Sequence, residues 1–158
     1  LNNYYIYMNK ILVIIIFIFI ALLGNIIFNN EQMTKKESNK KYLPPGYVIG
    51  SIWIFIFGLL GYIYSKINLN KKNASQSQYV IILFLIFCFL YGPLTNGKSS
   101  RFIKNYNYLT LLFLVYVSYM ISKNSEDILY LFIPIYLWVL YIFYVTLLDD
   151  LDKIQLFK

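Results

Sequence analysis

The sequence of 158 residues contains no histidine and a single cysteine, and each shortage excludes a class of function. Without histidine the chain lacks the usual proton shuttle, the commonest metal ligand and the usual axial ligand of haem iron. Cys88 stands alone, so it can build neither a disulfide framework nor a metal cluster, and we interpret it as a small buried apolar residue. The sequence therefore predicts no metal-binding site.

Charged residues are also missing from five long stretches of the chain. The uncharged runs cover residues 11–30, 42–65, 73–97, 105–122 and 128–148. Pumps and ion-coupled carriers generally keep ionisable groups inside the membrane, because the coupled charge needs a partner there. An intramembrane hydrolase needs a base beside its nucleophile, and the serine and threonine hydroxyls of these runs have no carboxylate or imidazole to activate them. We predict no catalytic residue, and an enzymatic role is less expected than a binding role.

The apolar runs have the length of membrane spans. A helix crosses a hydrocarbon core of about 30 Å with about 20 residues, because each residue rises about 1.5 Å. In this chain 59% of the residues are hydrophobic and 13% are charged, which is more apolar surface than a soluble domain of this length can bury. The sequence predicts an all-α membrane protein, a five-transmembrane-helix bundle in one domain over residues 1–158. Its spans are expected near residues 11–28, 47–65, 79–95, 106–122 and 128–148.

The first run has a second interpretation as a secretory signal peptide, because Met8 and Lys10 precede an apolar stretch. Fifteen of the eighteen residues 11–28 are Ile, Leu, Val or Phe, and no A-x-A-like cleavage site follows. That length favours a retained span. Whether the residues before Met8 are a fragment end or a native extension stays open.

The net charge of +7 comes from basic residues in the connections between the runs. They form no face with interleaved aromatics, so nucleic acid is not an expected partner. One side of the predicted bundle carries five Lys or Arg residues and the other carries nine. Because basic loops remain in the cytosol, this imbalance predicts that the first loop, the third loop and the carboxy terminus are cytosolic.

The second run and its approach are the most informative segment. Pro44 and Pro45 form a rigid elbow that ends a loop and starts a helix. Trp53 follows about two turns later, deeper than the interfacial belt where tryptophan usually anchors a span. Small residues that would let another helix approach closely lie on roughly one face of this run: Ser51, Gly58, Gly61 and Ser65. From these residues alone, a plain packing helix explains the segment about as well as a functional site.

The segment from Pro44 to Tyr62 resembles the second helix of the TspO/MBR family, the translocator proteins. That helix opens with a double proline, an aromatic, an aliphatic pair and a glycine, followed by a tryptophan. The end of the third run, Leu90–Gly97, is similar to the family's aromatic, proline and closing glycine. In the fifth run, Pro134 and Trp138 keep the family's four-residue separation. The resemblance covers nearly the whole chain.

The chain also departs from the family's pattern. Phe84 and Cys88 stand where the family usually has Gln and Asn in its third helix, and Val145-Thr146 replaces a late Leu-Asn pair. The first loop lacks the family's tryptophan and Lys-Pro. Because these changes remove polar groups that orient a ligand, we expect a different ligand profile on the same fold.

The resemblance implies a pocket between helices, covered by the first loop, for tetrapyrroles such as protoporphyrin and haem and for sterol-like hydrophobes. The resemblance implies no required cofactor and makes porphyrin or haem the expected ligand. A planar macrocycle with acidic edge groups needs aromatic walls and a cationic rim. The candidate ligand-binding residues are Trp53, Trp138, Tyr62, Tyr141, Pro44, Pro45 and Pro134. Rim lysines in the first loop would meet propionates: Lys35, Lys36, Lys40 and Lys41. In a chain with thirty-two aromatics, each aromatic also fits simple packing or lipid contact.

Binding, with translocation left open, is the first functional hypothesis. Light- or oxygen-dependent porphyrin breakdown and a scaffold for partner proteins are the alternatives. The expected partners are the lipid bilayer and a hydrophobic small molecule, and a homodimer stays open. The resemblance implies the mitochondrial outer membrane or another organelle membrane in a eukaryotic cell, and a cell-envelope membrane in a bacterium.

Overall fold

The computed structural model describes residues 2–28, 44–67, 69–95 and 97–155, and all regular structure in these ranges is helical. The six α-helices are α1 (Asn2–Phe28), α2 (Gly46–Lys66), α3 (Ala74–Phe89), α4 (Tyr91–Thr95), α5 (Ser100–Ser122) and α6 (Ile133–Gln155). A 3-10 helix, Glu126–Phe132, leads directly into α6. The all-α class is therefore confirmed.

Three helical segments of the described residues are long and apolar enough to cross a membrane: Lys10–Ile27, Gly46–Lys66 and Glu126–Leu148. The apolar helix α3 has only 16 residues. Helix α5 has 23 residues, but Arg101 and Lys104 lie in its first turns. The chain is an integral membrane protein by these helices, while the count of five spans stays a prediction.

Two of the predicted spans are not a single continuous α-helix. Helix α3 ends at Phe89, and a separate short helix, α4, follows after Leu90. Pro93 has no N–H to donate to the carbonyl of Phe89, which explains why one continuous helix does not pass this point. The fifth span begins as a 3-10 helix, and the N–H of Ile133 still bonds to the carbonyl of Tyr130 in the 3-10 manner.

Helices α1 and α2 form the most extensive helix pair, and glycine permits their close approach. A Cβ on Gly61 would lie 3.1 Å from the Cα of Ile14 and 3.1 Å from the Cβ of Phe17. Farther along, the side-chain amide of Asn25 donates to the carbonyl of Gly50 at 3.3 Å. Of the predicted small-residue face of α2, Gly58 and Gly61 thus lie against α1, whereas the hydroxyls of Ser51 and Ser65 bond to carbonyls of α2 itself.

The remaining helices pack around a second seam, where α5 contacts both α3 and α6. Large apolar side chains fill this seam and are fully buried: Phe84, Leu114, Ile121, Phe132 and Ile135. These residues and the buried residues of α2 form one continuous apolar core. Because α2 also contacts α3 and the 3-10 helix, the α1–α2 pair is joined to the rest of the bundle.

Three hydrogen bonds between side chains link neighbouring elements at this seam. Asn107 donates to the hydroxyl of Thr146 at 2.9 Å, the hydroxyls of Ser118 and Tyr136 are 2.6 Å apart, and Asn124 donates to the hydroxyl of Ser77 at 2.8 Å. In an apolar surrounding such bonds fix helix register, since unpaired polar groups are costly there.

Site-specific labelling tests whether α5 crosses the membrane. Lys98 and Lys123 lie exposed at opposite ends of α5, about 34 Å apart along an α-helix of this length. In a Cys88→Ala background, Lys98→Cys is expected to react with an impermeant maleimide only from the cytosolic side, and Lys123→Cys only from the other side. The Cys88→Ala parent is the blank. Labelling of both cysteines from one side would contradict a crossing by α5.

Candidate ligand-binding site

Trp138 is the most buried of the predicted ligand-binding aromatics. Its side chain is 7% exposed and belongs to the apolar core together with Ile135 and Val139. Tyr141, one turn later on α6, stacks on it with ring centroids 5.6 Å apart and an interplanar angle of 26°. An offset-stacked aromatic pair therefore forms within α6.

The indole N–H of Trp138 is buried and has no hydrogen-bond partner among the described residues. Buried tryptophan N–H groups usually find an acceptor, because an unpaired donor in an apolar interior is unfavourable. The side-chain oxygen of Asn124 is the other buried polar atom that lacks a partner in the described part of the chain. Among the described residues, these two buried side-chain atoms, one donor and one acceptor, have no hydrogen-bond partner.

Trp53 lies on α2 and is half-buried. It packs against the apolar core and meets Phe57 edge to face, with ring centroids 6.0 Å apart. Trp138 is part of this same core, so both tryptophans of the sequence contact one apolar interior. They reach that interior from different helices.

The two predicted tyrosines are more exposed than the tryptophans. Tyr62 is 37% exposed near the end of α2, and the ammonium of Lys66 lies 5.3 Å above its ring. Its neighbours Gly61 and Ile63 are buried, so Tyr62 lies at the margin of the interior. Tyr141 is 38% exposed and touches the interior through its stack on Trp138.

The predicted prolines shape the starts of helices. The carbonyl of Pro45 accepts the N–H groups of Val48 at 2.9 Å and Ile49 at 3.2 Å, so α2 begins directly after the elbow. Pro134 lies in the first turn of α6, where a missing N–H is tolerated. The prolines thus lie at the starts of the two helices that carry Trp53 and Trp138. The predicted lysine rim of the first loop lies outside the described residues.

Buried polar residues of α5 were not predicted as part of any site. Asn107 and Thr110 are almost fully buried, and Asn107 binds Thr146 of α6. In the TspO/MBR pattern that the sequence resembles, the position of Thr146 is usually Asn. In this chain the side-chain amide next to that position comes from Asn107 of α5. Asn107, Thr110 and Leu114 are three and four residues apart, so they lie on one face of a helix. This spacing would have predicted that Asn107 and Thr110 are buried together with Leu114.

Phe84 and Cys88, the other two departures from the family pattern, are packed in the apolar interior. Phe84 is fully buried and meets Phe113 edge to face, with ring centroids 5.4 Å apart. Cys88 is buried one turn away. No cluster of His, Cys, Asp or Glu suited to a metal ion occurs in the ranges that the structure describes. The described interior contains aromatic rings, hydroxyls and amides.

A family model described as TspO/MBR family matches residues 11–148. The match contains the double proline, both tryptophans and the late Val145-Thr146 pair. No curated protein and no solved structure matches this chain.

Proposed function

The chain belongs to the TspO/MBR family, and from this premise we propose that it binds tetrapyrroles, such as protoporphyrin and haem, and sterol-like hydrophobes between its helices. Trp138 is the observation that carries the proposal. It combines deep burial, a stacked tyrosine and a free N–H donor in one apolar interior. Ligand pockets have this composition, with aromatic walls and a few well-placed polar groups.

The membrane context supports the same proposal. Tetrapyrroles and sterols partition into bilayers, and a protein embedded there meets them without first extracting them from water. We propose five membrane crossings, with the first loop, the third loop and the carboxy terminus in the cytosol. Translocation of the ligand between the two sides is compatible with binding but needs a further conformational step.

Protoporphyrin titration tests the binding proposal. In nanodiscs, protoporphyrin is expected to quench the tryptophan fluorescence along a saturable curve. Trp53→Phe and Trp138→Phe each leave a single indole, so each variant reports quenching at one position. Each loss of indole contact is expected to weaken binding by about threefold to tenfold, as aromatic pairs contribute about 0.5–1.5 kcal/mol beyond their buried area.

Phe55→Leu supplies the control, because Phe55 is 57% exposed on α2 and its loss should leave the affinity unchanged. Empty nanodiscs with free N-acetyltryptophanamide correct for absorption and for partition into lipid. A linear, unsaturable decrease that is the same in all variants would contradict a binding site. Mass analysis of the porphyrin after illumination separates binding, which returns the ligand unchanged, from breakdown.

A further inference from the structure

Helices α2 and α5 close with the same local structure. Tyrosine, serine and lysine recur in the spacing Tyr-x-x-Ser-Lys, at Tyr62–Lys66 and at Tyr119–Lys123. In both segments the serine hydroxyl donates to the carbonyl of the tyrosine, at 2.7 Å for Ser65 and 2.8 Å for Ser122. The lysine ammonium lies over the ring of the same tyrosine, 5.3 Å from its centroid in the first segment and 4.3 Å in the second. We call these two segments the Tyr–Lys termini.

We propose that the two Tyr–Lys termini bind the headgroups of anionic phospholipids at one face of the membrane. The partner is a molecule that carries a negatively charged phosphate on apolar chains. This surface lies at the ends of the helices, and its role does not depend on the ligand proposed for the interior between them.

Both Tyr–Lys termini lie at the same end of the bundle. Asn124, the residue after the second terminus, donates to the hydroxyl of Ser77 in the first turn of α3 at 2.8 Å. A short connection joins the first terminus to α3, and both ends of this connection, Ile67 and Ala74, are buried. The carboxy-terminal ends of α2 and α5 therefore meet at the start of α3.

This end of the bundle carries an excess of positive charge. Residues 66–73 and 123–127 include four lysines and two acidic residues. All six of these side chains are exposed. Basic residues beside a membrane span attract anionic lipids electrostatically. The charge of this end therefore favours a negatively charged partner.

Exposed apolar side chains continue from both tyrosines along the same helix faces. Tyr119 is 55% exposed, and Val115 and Leu112, one and two turns earlier, are 51% and 48% exposed. On α2, Phe55 lies two turns before Tyr62 and is also exposed. A partner that covers such a surface needs an anionic head and an apolar tail, which is the chemistry of a phospholipid and not of a soluble acidic peptide.

Contact with the tyrosine rings holds the two ammoniums in place. A lysine at a membrane surface ordinarily extends its ammonium into water. The ammoniums of Lys66 and Lys123 instead lie against aromatic rings at the helix ends. An ammonium has three N–H donors, so donors are left for phosphate oxygens. Because these side chains are already restricted, binding a phosphate costs them less conformational entropy than it costs Lys71 or Lys72 of the connection.

Native mass spectrometry of the full chain in detergent measures the affinity of single lipid molecules. Dioleoylphosphatidylglycerol is anionic, whereas dioleoylphosphatidylcholine has the same acyl chains and no net charge. We expect the wild type to bind each of the first two phosphatidylglycerol molecules about fivefold more tightly than phosphatidylcholine, the factor that one basic residue contributes near an anionic membrane. Lys66→Gln/Lys123→Gln should remove this preference. Lys66→Arg/Lys123→Arg should keep it, since arginine retains the charge and also stacks on aromatic rings.

Lys71→Gln/Lys72→Gln is the matched control, because it removes the same charge from the same end and leaves both Tyr–Lys termini intact. This variant should keep most of the preference for phosphatidylglycerol, and circular dichroism should show the same helicity in all variants. Equal loss of preference in the two glutamine variants would overturn the proposal, since net charge alone would then explain binding. Equal affinity of the wild type for both lipids would also overturn it. Displacement of phosphatidylglycerol by an equal concentration of glycerol 3-phosphate would contradict a lipid partner and would indicate a site for soluble phosphates.

Discussion

Gly61→Leu is expected to force α1 away from α2 and to lower the free energy of unfolding by more than about 3 kcal/mol. The reason is that a Cβ at this position would meet the backbone of α1, at 3.1 Å from the Cα of Ile14. It would also lie 3.1 Å from both the Cβ and the Cγ of Phe17. Since backbone atoms cannot rotate away, the helices must separate along their closest contact.

Thermal unfolding in detergent, followed by circular dichroism, measures this effect. A loss of this size corresponds to a decrease of roughly 6–12 °C in the unfolding midpoint of a chain of this length. A cysteine pair that cross-links α1 to α2 in the parent protein should also react more slowly in Gly61→Leu.

Two alanine substitutions on the same helix provide the matched comparison. A Cβ on Gly58 would meet only side-chain atoms of Ile18, at 3.2 and 3.3 Å, and that side chain can change rotamer. Gly58→Ala should therefore be mild, whereas Gly61→Ala should be clearly destabilising. Equal effects of the two substitutions would show that contact with the backbone of α1 does not govern the packing.

Ser77→Ala is expected to destabilise the protein more than the double substitution Ser77→Ala/Asn124→Leu. Ser77 accepts a hydrogen bond from Asn124 at 2.8 Å and donates to the carbonyl of Met120 at 3.2 Å. Because the oxygen of Asn124 already lacks a partner among the described residues, loss of Ser77 leaves the whole side-chain amide unpaired. Each unsatisfied buried group costs about 1–3 kcal/mol.

A double-mutant cycle measures this coupling. Ser77→Ala alone is expected to lower the free energy of unfolding by about 2–4 kcal/mol, whereas removal of both polar partners should recover at least half of that loss, because an apolar pair leaves nothing unpaired. Asn124→Leu alone completes the cycle. If the two single effects simply add, Ser77 and Asn124 are not the coupled pair that their geometry indicates.

The apolar runs and the spacing of Pro44, Trp53, Pro134 and Trp138 were sufficient to predict the helical class and the family. Both predictions depend on patterns that are local in the sequence. The approach of two helices at Gly58 and Gly61 was also predictable, but the identity of the partner helix was not. Which helices meet depends on tertiary packing, and α1 carries no motif that marks it as the partner of α2.

The interruption of a helix and the polar pairs between distant residues could not be predicted from the sequence, for physical reasons. Counting uncharged residues treats each run as one helix, so it passes over the interruption that Pro93 imposes. Asn107 and Thr146 are 39 residues apart, and no local pattern predicts that they meet. The free N–H of Trp138 becomes visible only when the burial and partners of every neighbouring group are known.

The 3-10 helix Glu126–Phe132 affects both the axial position and the rotation of α6, which follows it directly. A 3-10 helix advances about 2.0 Å per residue, so its seven residues extend about 14 Å where an α-helix would extend about 10 Å. It also turns about 20° more per residue, which accumulates to about 140° over the segment. The direction in which Trp138 points around the axis of α6 therefore depends on the winding of this preceding segment, which ends at Phe132.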